Sequence, residues 1–152
     1  MKEPDLKKMQ TELQQKMGTR LEITADRFFT FLNIHPADLL ILMKELRDNY
    51  GFNYLANITS VDYGEKFAVV YHLYSIPENH KIAVKAYIDR SLAEIDSVFS
   101  VWPTADWQER EVYDLMGIKF KGHPNLIRVL LPDDFEGHPL RKDFDMKGVK
   151  KC

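Results

Sequence analysis

The sequence contains one cysteine, Cys152, among its 152 residues. A single cysteine cannot form a disulfide within the chain, and it cannot supply the several thiolates that bind an iron–sulfur cluster or a structural zinc ion. If the protein takes part in redox chemistry, any multi-cysteine centre must therefore lie in another chain. We expect Cys152 itself to be an exposed terminal thiol.

Long apolar runs and an excess of either charge are also missing. No run approaches the ~18–20 apolar residues of a membrane span, and residues 1–10 have no apolar signal core. The 21 Lys and Arg against 23 Asp and Glu leave a formal net charge of −2, which argues against a nucleic-acid partner. With 45% hydrophobic residues the chain is too apolar to be disordered. We expect a cytoplasmic globular protein with one main domain.

The first third of the chain has two stretches with helical periodicity. Apolar residues recur at helical spacing over residues 6–17, and Gly18 follows as a stop signal. A second stretch opens at Pro36, which suits a first helical turn, and ends before Gly51, an expected C-cap. A β-type stretch at about residues 28–32 lies between them.

The middle third predicts three successive strands, Tyr54–Asp62, Lys66–Ser75 and Lys81–Asp89. The last of them alternates apolar and polar residues most regularly. The connections are short enough for antiparallel hairpins. Helices followed by a strand meander indicate a two-layer α+β fold, with helices on one face of a mostly antiparallel sheet.

A third helix is predicted over Ala105–Met116, ending at Gly117. From Ile118 onward the chain has no regular periodicity but is rich in charge, proline and scattered apolar residues. We therefore divide the chain into an α+β domain, residues 1–117, and an extended partner-binding C-terminal arm, residues 118–152.

The most distinctive residues lie around this third helix. Two Gly-His-Pro tripeptides occur at residues 122–124 and 137–139, where glycine and proline suit turns. A charged Glu-Arg-Glu run occupies residues 109–111, and Arg110 and Asp114 are four residues apart, close enough to pair on a helix.

These motifs resemble the signature region of the 30-kDa-type subunit, or C subunit, of respiratory complex I (NADH–quinone oxidoreductase). They also resemble matching subunits of plastid NAD(P)H dehydrogenase and of membrane-bound hydrogenase complexes. The first family block is matched by Glu109, Arg110, Glu111, Asp114, Leu115, Met116 and His123. The second is matched by residues 130–134 and 137–143. Ile127 stands where the family usually has a basic residue, and we expect Arg128 to take that contact.

The resemblance implies a non-catalytic structural subunit of the peripheral arm, on the cytoplasmic side of the membrane. The complex transfers electrons from NADH to quinone and couples this to proton translocation. This chain would bind no flavin, cluster or metal, since flavin and iron–sulfur clusters belong to partner subunits. The expected partners are the large hydrogenase-like quinone-site subunit and the iron–sulfur subunits. The residues expected to contact partners are Glu109, Arg110, Glu111, Asp114, His123, Arg128, Asp133, His138, Arg141, Lys142 and Asp143.

Three alternative interpretations remain open at this stage. The charged helix could be an ordinary solvated face. The chain could serve a related membrane-bound hydrogenase-type complex, since this type of subunit never touches the electron donor. It could also be a free-standing metal-dependent hydrolase that uses His123, His138 and Asp133, although the spacing of the two histidines matches no standard ligand motif.

Overall fold

The structure, a computed structural model, describes residues 3–76 and 78–144, with side chains described from Leu6 onward. Cys152 and the end of the predicted arm lie outside these residues. The helices are α1 (Glu3–Met17), α2 (Leu39–Tyr50) and α3 (Ala105–Met116). The strands are β1 (Leu21–Ala25), β2 (Thr30–Ile34), β3 (Tyr54–Asp62), β4 (Lys66–Ser75), β5 (His80–Asp89), β6 (Glu94–Asp96) and β7 (Lys119–Lys121).

Five strands form the main sheet, in the order β1-β2-β5-β4-β3. Within the described residues its pairs are antiparallel except for β2 and β5, which run parallel. The predicted meander is confirmed: β3 and β4 have the predicted bounds, and β5 begins one residue earlier than predicted. The fold class is likewise confirmed as mixed α+β with a mostly antiparallel sheet.

The β1–β2 hairpin differs from the prediction, which had one β stretch at residues 28–32. The chain turns at Asp26, whose carboxylate accepts the backbone N–H groups of Phe28 (2.7 Å) and Phe29 (2.8 Å). This side-chain turn separates two short strands. The weak alternation in such five-residue strands explains why the pattern missed the first of them.

The helices cover one face of the sheet. Alternate residues of β5, from Ile82 to Ile88, face the core and join the buried stripes of α1, α2 and α3 in one apolar cluster. The first two of the three predicted glycine stop signals are confirmed. Gly18 follows α1 at φ 59°, and Gly51 ends α2 at φ 71°, where its N–H reaches the Leu46 carbonyl.

The first residues of the predicted arm belong to the packed domain. Strand β7 pairs in parallel with β6, and Ile118 and Phe120 are buried in the core. The segment without helix or strand therefore starts at Gly122 and continues to Phe144, the last described residue. A partner-binding role for the arm stays a prediction.

The buried stripe of α2 provides a direct test of this packing. Leu46 is 0% exposed, whereas Ile41 on the same helix is 60% exposed. We expect Leu46→Ala to lower the free energy of unfolding by about 2–5 kcal/mol, because it removes buried methyl groups and leaves a cavity. Ile41→Ala should change it by about 0.5 kcal/mol or less. Urea denaturation would measure both, and equal effects would contradict the assigned helix orientation.

Candidate partner-binding site

Helix α3 carries three buried charged residues, which is unusual for one short helix. Glu109 and Asp114 are fully buried and Arg110 is 9% exposed. Charged groups in a protein interior are costly unless they are paired or hydrogen-bonded. The interpretation of α3 as a solvated charged face is therefore wrong. Each of the three buried groups has contacts within the chain.

Asp114 is held by the backbone of the arm. Its Oδ2 atom accepts hydrogen bonds from the N–H groups of Val129 (3.2 Å), Leu130 (2.8 Å) and Leu131 (2.9 Å). Its other oxygen lies 3.6 Å from Nε of Arg128. Three successive amides around one carboxylate form an anion-binding turn, so Asp114 fixes the course of the arm across α3.

Arg110 does not make the ion pair with Asp114 that its spacing suggested. Its Nε donates to the carbonyl of Ile127 at 3.1 Å, and its guanidinium lies 4.6 Å from the centre of the Trp107 ring. The buried acid pairs with Arg128 from the arm instead. Both basic residues thus join α3 to the arm.

The first Gly-His-Pro unit contacts the N-terminal part of α3. His123 Nε2 lies 3.1 Å from both the carbonyl and the carboxylate of Asp106. Its Nδ1 accepts the N–H of Asn125 at 2.9 Å. A carbonyl only accepts, so the ring proton belongs on Nε2.

The second Gly-His-Pro unit caps the C-terminal end of α3. The last carbonyls of a helix have no partner within it. Here His138 Nδ1 donates to the backbone carbonyl of Asp114 at 3.1 Å. The Leu140 N–H donates to the carbonyl of Leu115 at 3.0 Å, and Arg141 Nε donates to the carbonyl of Met116 at 2.7 Å. Burial lowers the pKa of the His138 ring, which favours the neutral form.

The glycine that ends α3 is required by this cap. Gly117 has φ 73°, a conformation that side chains disfavour. A Cβ there would also lie 2.6 Å from the His138 ring and 2.7 Å from Arg141. The cap can therefore form only over a residue without a side chain.

A final contact ties the arm to the end of β3. The buried carboxylate of Asp62 accepts the N–H of Lys142 at 2.9 Å and pairs with Arg90 at 2.6 Å. Arg90 also pairs with Asp143 at 2.8 Å. The Arg90 guanidinium holds the pKa of the Asp62 carboxyl well below its usual range, so this network stays charged at neutral pH.

Glu109 is held by neutral donors. It accepts the hydroxyl of Ser97 at 2.5 Å and the N–H of Val98 at 2.9 Å. Burial is the main reason that its pKa rises to about 7, while the two hydrogen bonds act in the opposite direction. The pKa of the fully buried Tyr71 hydroxyl is raised, mainly by burial and also by the negative charge of Glu109.

The residues predicted to contact partners thus fall into three groups. The buried ones are Glu109, Arg110 and Asp114, the half-buried ones are His123, Arg128, His138 and Arg141, and the exposed ones are Glu111, Asp133, Lys142 and Asp143. The buried and half-buried residues bind other parts of the same chain. These contacts within the chain shape the arm, and contact of these residues with a partner stays a prediction.

Four apolar side chains of α3 and the arm are exposed, and the sequence did not predict them. Trp107 is 61% exposed, Ile127 51%, Leu130 59% and Leu140 60%. Each of the arm residues has its backbone hydrogen-bonded to α3 or to a side chain of α3. We call these four residues the apolar ridge. The scattered apolar residues of the arm were its only sequence signal.

The two histidines do not form a metal site with each other. They contact carbonyls of Asp106 and Asp114, eight residues apart on α3, which is roughly 12 Å along the helix. Among the described residues no group of three His, Cys, Asp or Glu side chains could hold a metal ion. The hydrolase that would use His123, His138 and Asp133 is therefore wrong.

No helix in the described part of the chain is both long enough and apolar enough to cross a lipid bilayer.

Solved structures and named relatives show what this fold and site resemble. A trypsin-resistant fragment of Nqo5 superposes with a TM-score of 0.71 at 30% identity, over 80% of this chain and 98% of the fragment. A chain of the membrane-bound sulfane sulfur reductase, an archaeal respiratory membrane complex, superposes with a TM-score of 0.80 at 25% identity, over 93% and 86%. The fold and site thus define a subunit module of the respiratory-complex type.

Sequence comparison makes the assignment specific. The family described as respiratory-chain NADH dehydrogenase, 30 Kd subunit, matches residues 32–150. The C subunit of the NADH-quinone oxidoreductase of Moorella thermoacetica is 55% identical over 115 residues, 74% of this chain and 78% of that protein. Its counterpart in Citrifermentans bemidjiense is 45% identical over 131 residues, 84% and 81%. The chain belongs to this 30-kDa subunit family, as the sequence motifs indicated.

The contacts of Asp114 predict how the arm is held. We expect Asp114→Asn to loosen the arm, because the neutral amide oxygen accepts the three N–H groups more weakly than a carboxylate and the amide NH2 group then faces the Arg128 guanidinium. Hydrogen exchange at Val129, Leu130 and Leu131 should lose about 1.5–3 kcal/mol of protection, the value of hydrogen bonds to a charged group. The matched control is Glu111→Gln, an exposed change on the same helix. Unchanged exchange in Asp114→Asn would contradict the assignment.

The raised pKa of Glu109 predicts how stability depends on pH. A carboxyl with a pKa of about 7 in the folded state and near 4.5 unfolded binds its proton more tightly when folded. Protonated Glu109 therefore contributes fully to the free energy of unfolding below pH 4.5. This contribution is lost as the pH rises to 7, and the loss is at most about 3 kcal/mol. Glu109→Gln should abolish that loss in urea denaturation from pH 4.5 to 8. Parallel profiles for the two proteins would disprove it.

Proposed function

We propose that the chain is a non-catalytic structural subunit of the peripheral arm of an NADH–quinone oxidoreductase. That enzyme passes electrons from NADH to quinone and couples the transfer to proton translocation. In this proposal the flavin and the iron–sulfur clusters lie in partner subunits, and this chain contributes none of the reacting groups. It would lie on the cytoplasmic side and contact the membrane only through the complex.

The apolar ridge is the observation that carries this proposal. Its four side chains are each more than half exposed on one helix and on the segment bound to it, and apolar groups exposed together in this way favour a protein–protein contact. The buried polar contacts of α3 and the arm hold the ridge residues in place, so a partner would meet a surface that is already ordered. Such preorganisation reduces the entropy lost on binding. The exposed charges of Glu111, Asp133, Lys142 and Asp143 would then form a polar rim.

The proposed partners on the ridge are the large hydrogenase-like subunit that frames the quinone site and the iron–sulfur subunits beside it. The family membership and the named relatives support this choice. The arm supports it as well, because its long ordered course without helix or strand offers surface rather than a cavity for chemistry. We infer no nucleic-acid partner, in keeping with the net charge of −2.

A second candidate is the same module in a related membrane-bound complex. The superposition on the archaeal sulfane sulfur reductase chain covers 93% of this chain and favours this possibility. The set of subunits that co-purify separates the two, because only the NADH enzyme requires an NADH-oxidising, flavin-bearing partner.

Affinity purification from membranes in mild detergent tests the proposal. The full chain, tagged and expressed in its native host, should recover quinone-site and iron–sulfur subunits. Replacing Ile127 and Leu130 by serine should reduce that recovery at least about tenfold, since two apolar side chains of this size contribute more than ~1.4 kcal/mol when buried.

The matched control for this experiment is Leu92→Ser, because Leu92 is 71% exposed and lies outside α3 and the arm. The Leu92→Ser variant should recover the partners in the same amount as the unchanged chain. Recovery of the unchanged chain as a free monomer would overturn the proposed function. Equal losses of partner recovery in the control and in the ridge variant would contradict the proposal that the ridge is the contact surface.

A further inference from the structure

The face of the main sheet opposite the helices has a pattern of its own. Along β5, Lys81, Ala83, Lys85 and Tyr87 alternate with the residues that face the helical layer. Ala83 is fully buried, yet it does not belong to the core cluster that the helices cover. Its strand partners on this outer face are Phe31 of β2 and His72 of β4, and the Phe29 ring packs on His72 at 5.0 Å.

Three lysines on this face lie over aromatic rings. Lys81 Nζ is 4.7 Å from the centre of Phe29. Lys85 Nζ is 5.2 Å from the centre of Phe31, and Lys66 Nζ is 4.2 Å from the centre of Tyr87. We call these six residues the lysine–aromatic face. Cation–π contacts hold an ammonium group in place without neutralising it.

Of the acids near these lysines, Asp26 and Asp89 accept hydrogen bonds in their own turns, whereas the exposed Glu22 lines the same pocket as Lys85 and Tyr87. Asp26 feels Lys81 and Lys85, but its carboxylate accepts the backbone N–H groups of its own turn, and these hydrogen bonds lower its pKa. Asp89, opposite Lys66 across the strands, accepts both the N–H and the hydroxyl of Ser91. None of the ion pairs in the described part of the chain includes Lys66, Lys81 or Lys85.

The same face also exposes apolar surface. Tyr87 is 37% exposed, and Tyr63, whose ring packs 5.9 Å from it, is 46% exposed. Tyrosine and other aromatic residues are enriched in protein interfaces, where the ring supplies apolar area and the hydroxyl a polar contact. A partner that suits this face therefore combines apolar surface with carboxylates placed to meet three fixed ammonium groups.

We propose that the lysine–aromatic face is a second docking surface, which binds a carboxylate-bearing surface of another subunit of the same assembly. This inference rests on the proposed function, since it requires that the chain works inside a complex. The apolar ridge lies along α3 and the arm, whereas this face lies on the side of the sheet that the helices leave open. The chain would then connect two partner surfaces.

Carbodiimide crosslinking of the intact complex tests this proposal. The reagent joins an amine directly to a carboxylate without a spacer, so it reports pairs in contact. In the complex purified through this chain, we expect Lys66, Lys81 or Lys85 to be joined to Asp or Glu residues of another subunit. The same lysines should resist acetylation in the complex and react in the free chain.

A charge-reversal pair provides the matched control. Replacing Lys81 and Lys85 by glutamate should reduce recovery of the crosslinked subunit, measured without crosslinker, at least tenfold, while Lys44→Glu, an exposed change on α2, should leave that recovery unchanged. Thermal denaturation of each full chain would separate lost docking from lost folding.

The outcomes distinguish this inference from the proposed function. A complex that is recovered intact, but in which these lysines remain freely acetylated or join only carboxylates of the same chain, would overturn the second surface alone. Protection of the lysines by bound nucleic acid or anionic lipid would also overturn it. Failure of the unchanged chain to recover any partner would overturn both proposals.

Discussion

The structure of the C-terminal third depends on one buried carboxylate. Asp114 is fully buried, and three successive backbone N–H groups of the arm point at one of its oxygens. A buried carboxylate without such partners would cost several kcal/mol, so its presence demands that the arm take this course. The arm in turn has no helix or strand of its own after β7, within the described residues, to satisfy those amides. The arm amides therefore supply the donors that the buried carboxylate requires, and the carboxylate supplies the acceptor that these amides require.

The remaining contacts of α3 extend this arrangement to both ends of the helix. His123 contacts its N-terminal part, and His138, Leu140 and Arg141 satisfy its last carbonyls. These polar groups are used inside the domain, and four apolar side chains, Trp107, Ile127, Leu130 and Leu140, are exposed on α3 and the arm. The buried charged residues of the motif thus bond within the chain, whereas the residues of the apolar ridge are exposed to solvent. These bonds also explain why the ridge can be ordered before any partner binds.

The helices and the central strands were predictable because their signals are local. The strand-type runs that became β3 and β4, and the glycines that follow α2 and α3, marked those elements at the correct residues. The β1–β2 hairpin was missed because its signal is short, and the parallel pairing of β2 with β5 joins residues about fifty positions apart. No periodicity within one strand specifies which distant strand will lie beside it.

For the site, the motifs indicated the right family and the right segment but not the contacts. Spacing on a helix suggested that Arg110 pairs with Asp114, yet the acid meets Arg128 and three amides of the arm. Spacing describes neighbours on one helix, whereas burial depends on which other segment packs over it.

The sequence by itself determined the family, the helix that carries the Glu-Arg-Glu run and the absence of several thiolates, because these follow from residue identity and order. Only the tertiary structure decided that Glu109, Arg110 and Asp114 are buried, that both Gly-His-Pro units bind this helix, and that four apolar side chains beside them are exposed. The physical reason is that a charge is stable in the interior only where distant donors converge on it, and that convergence exists only in the folded chain.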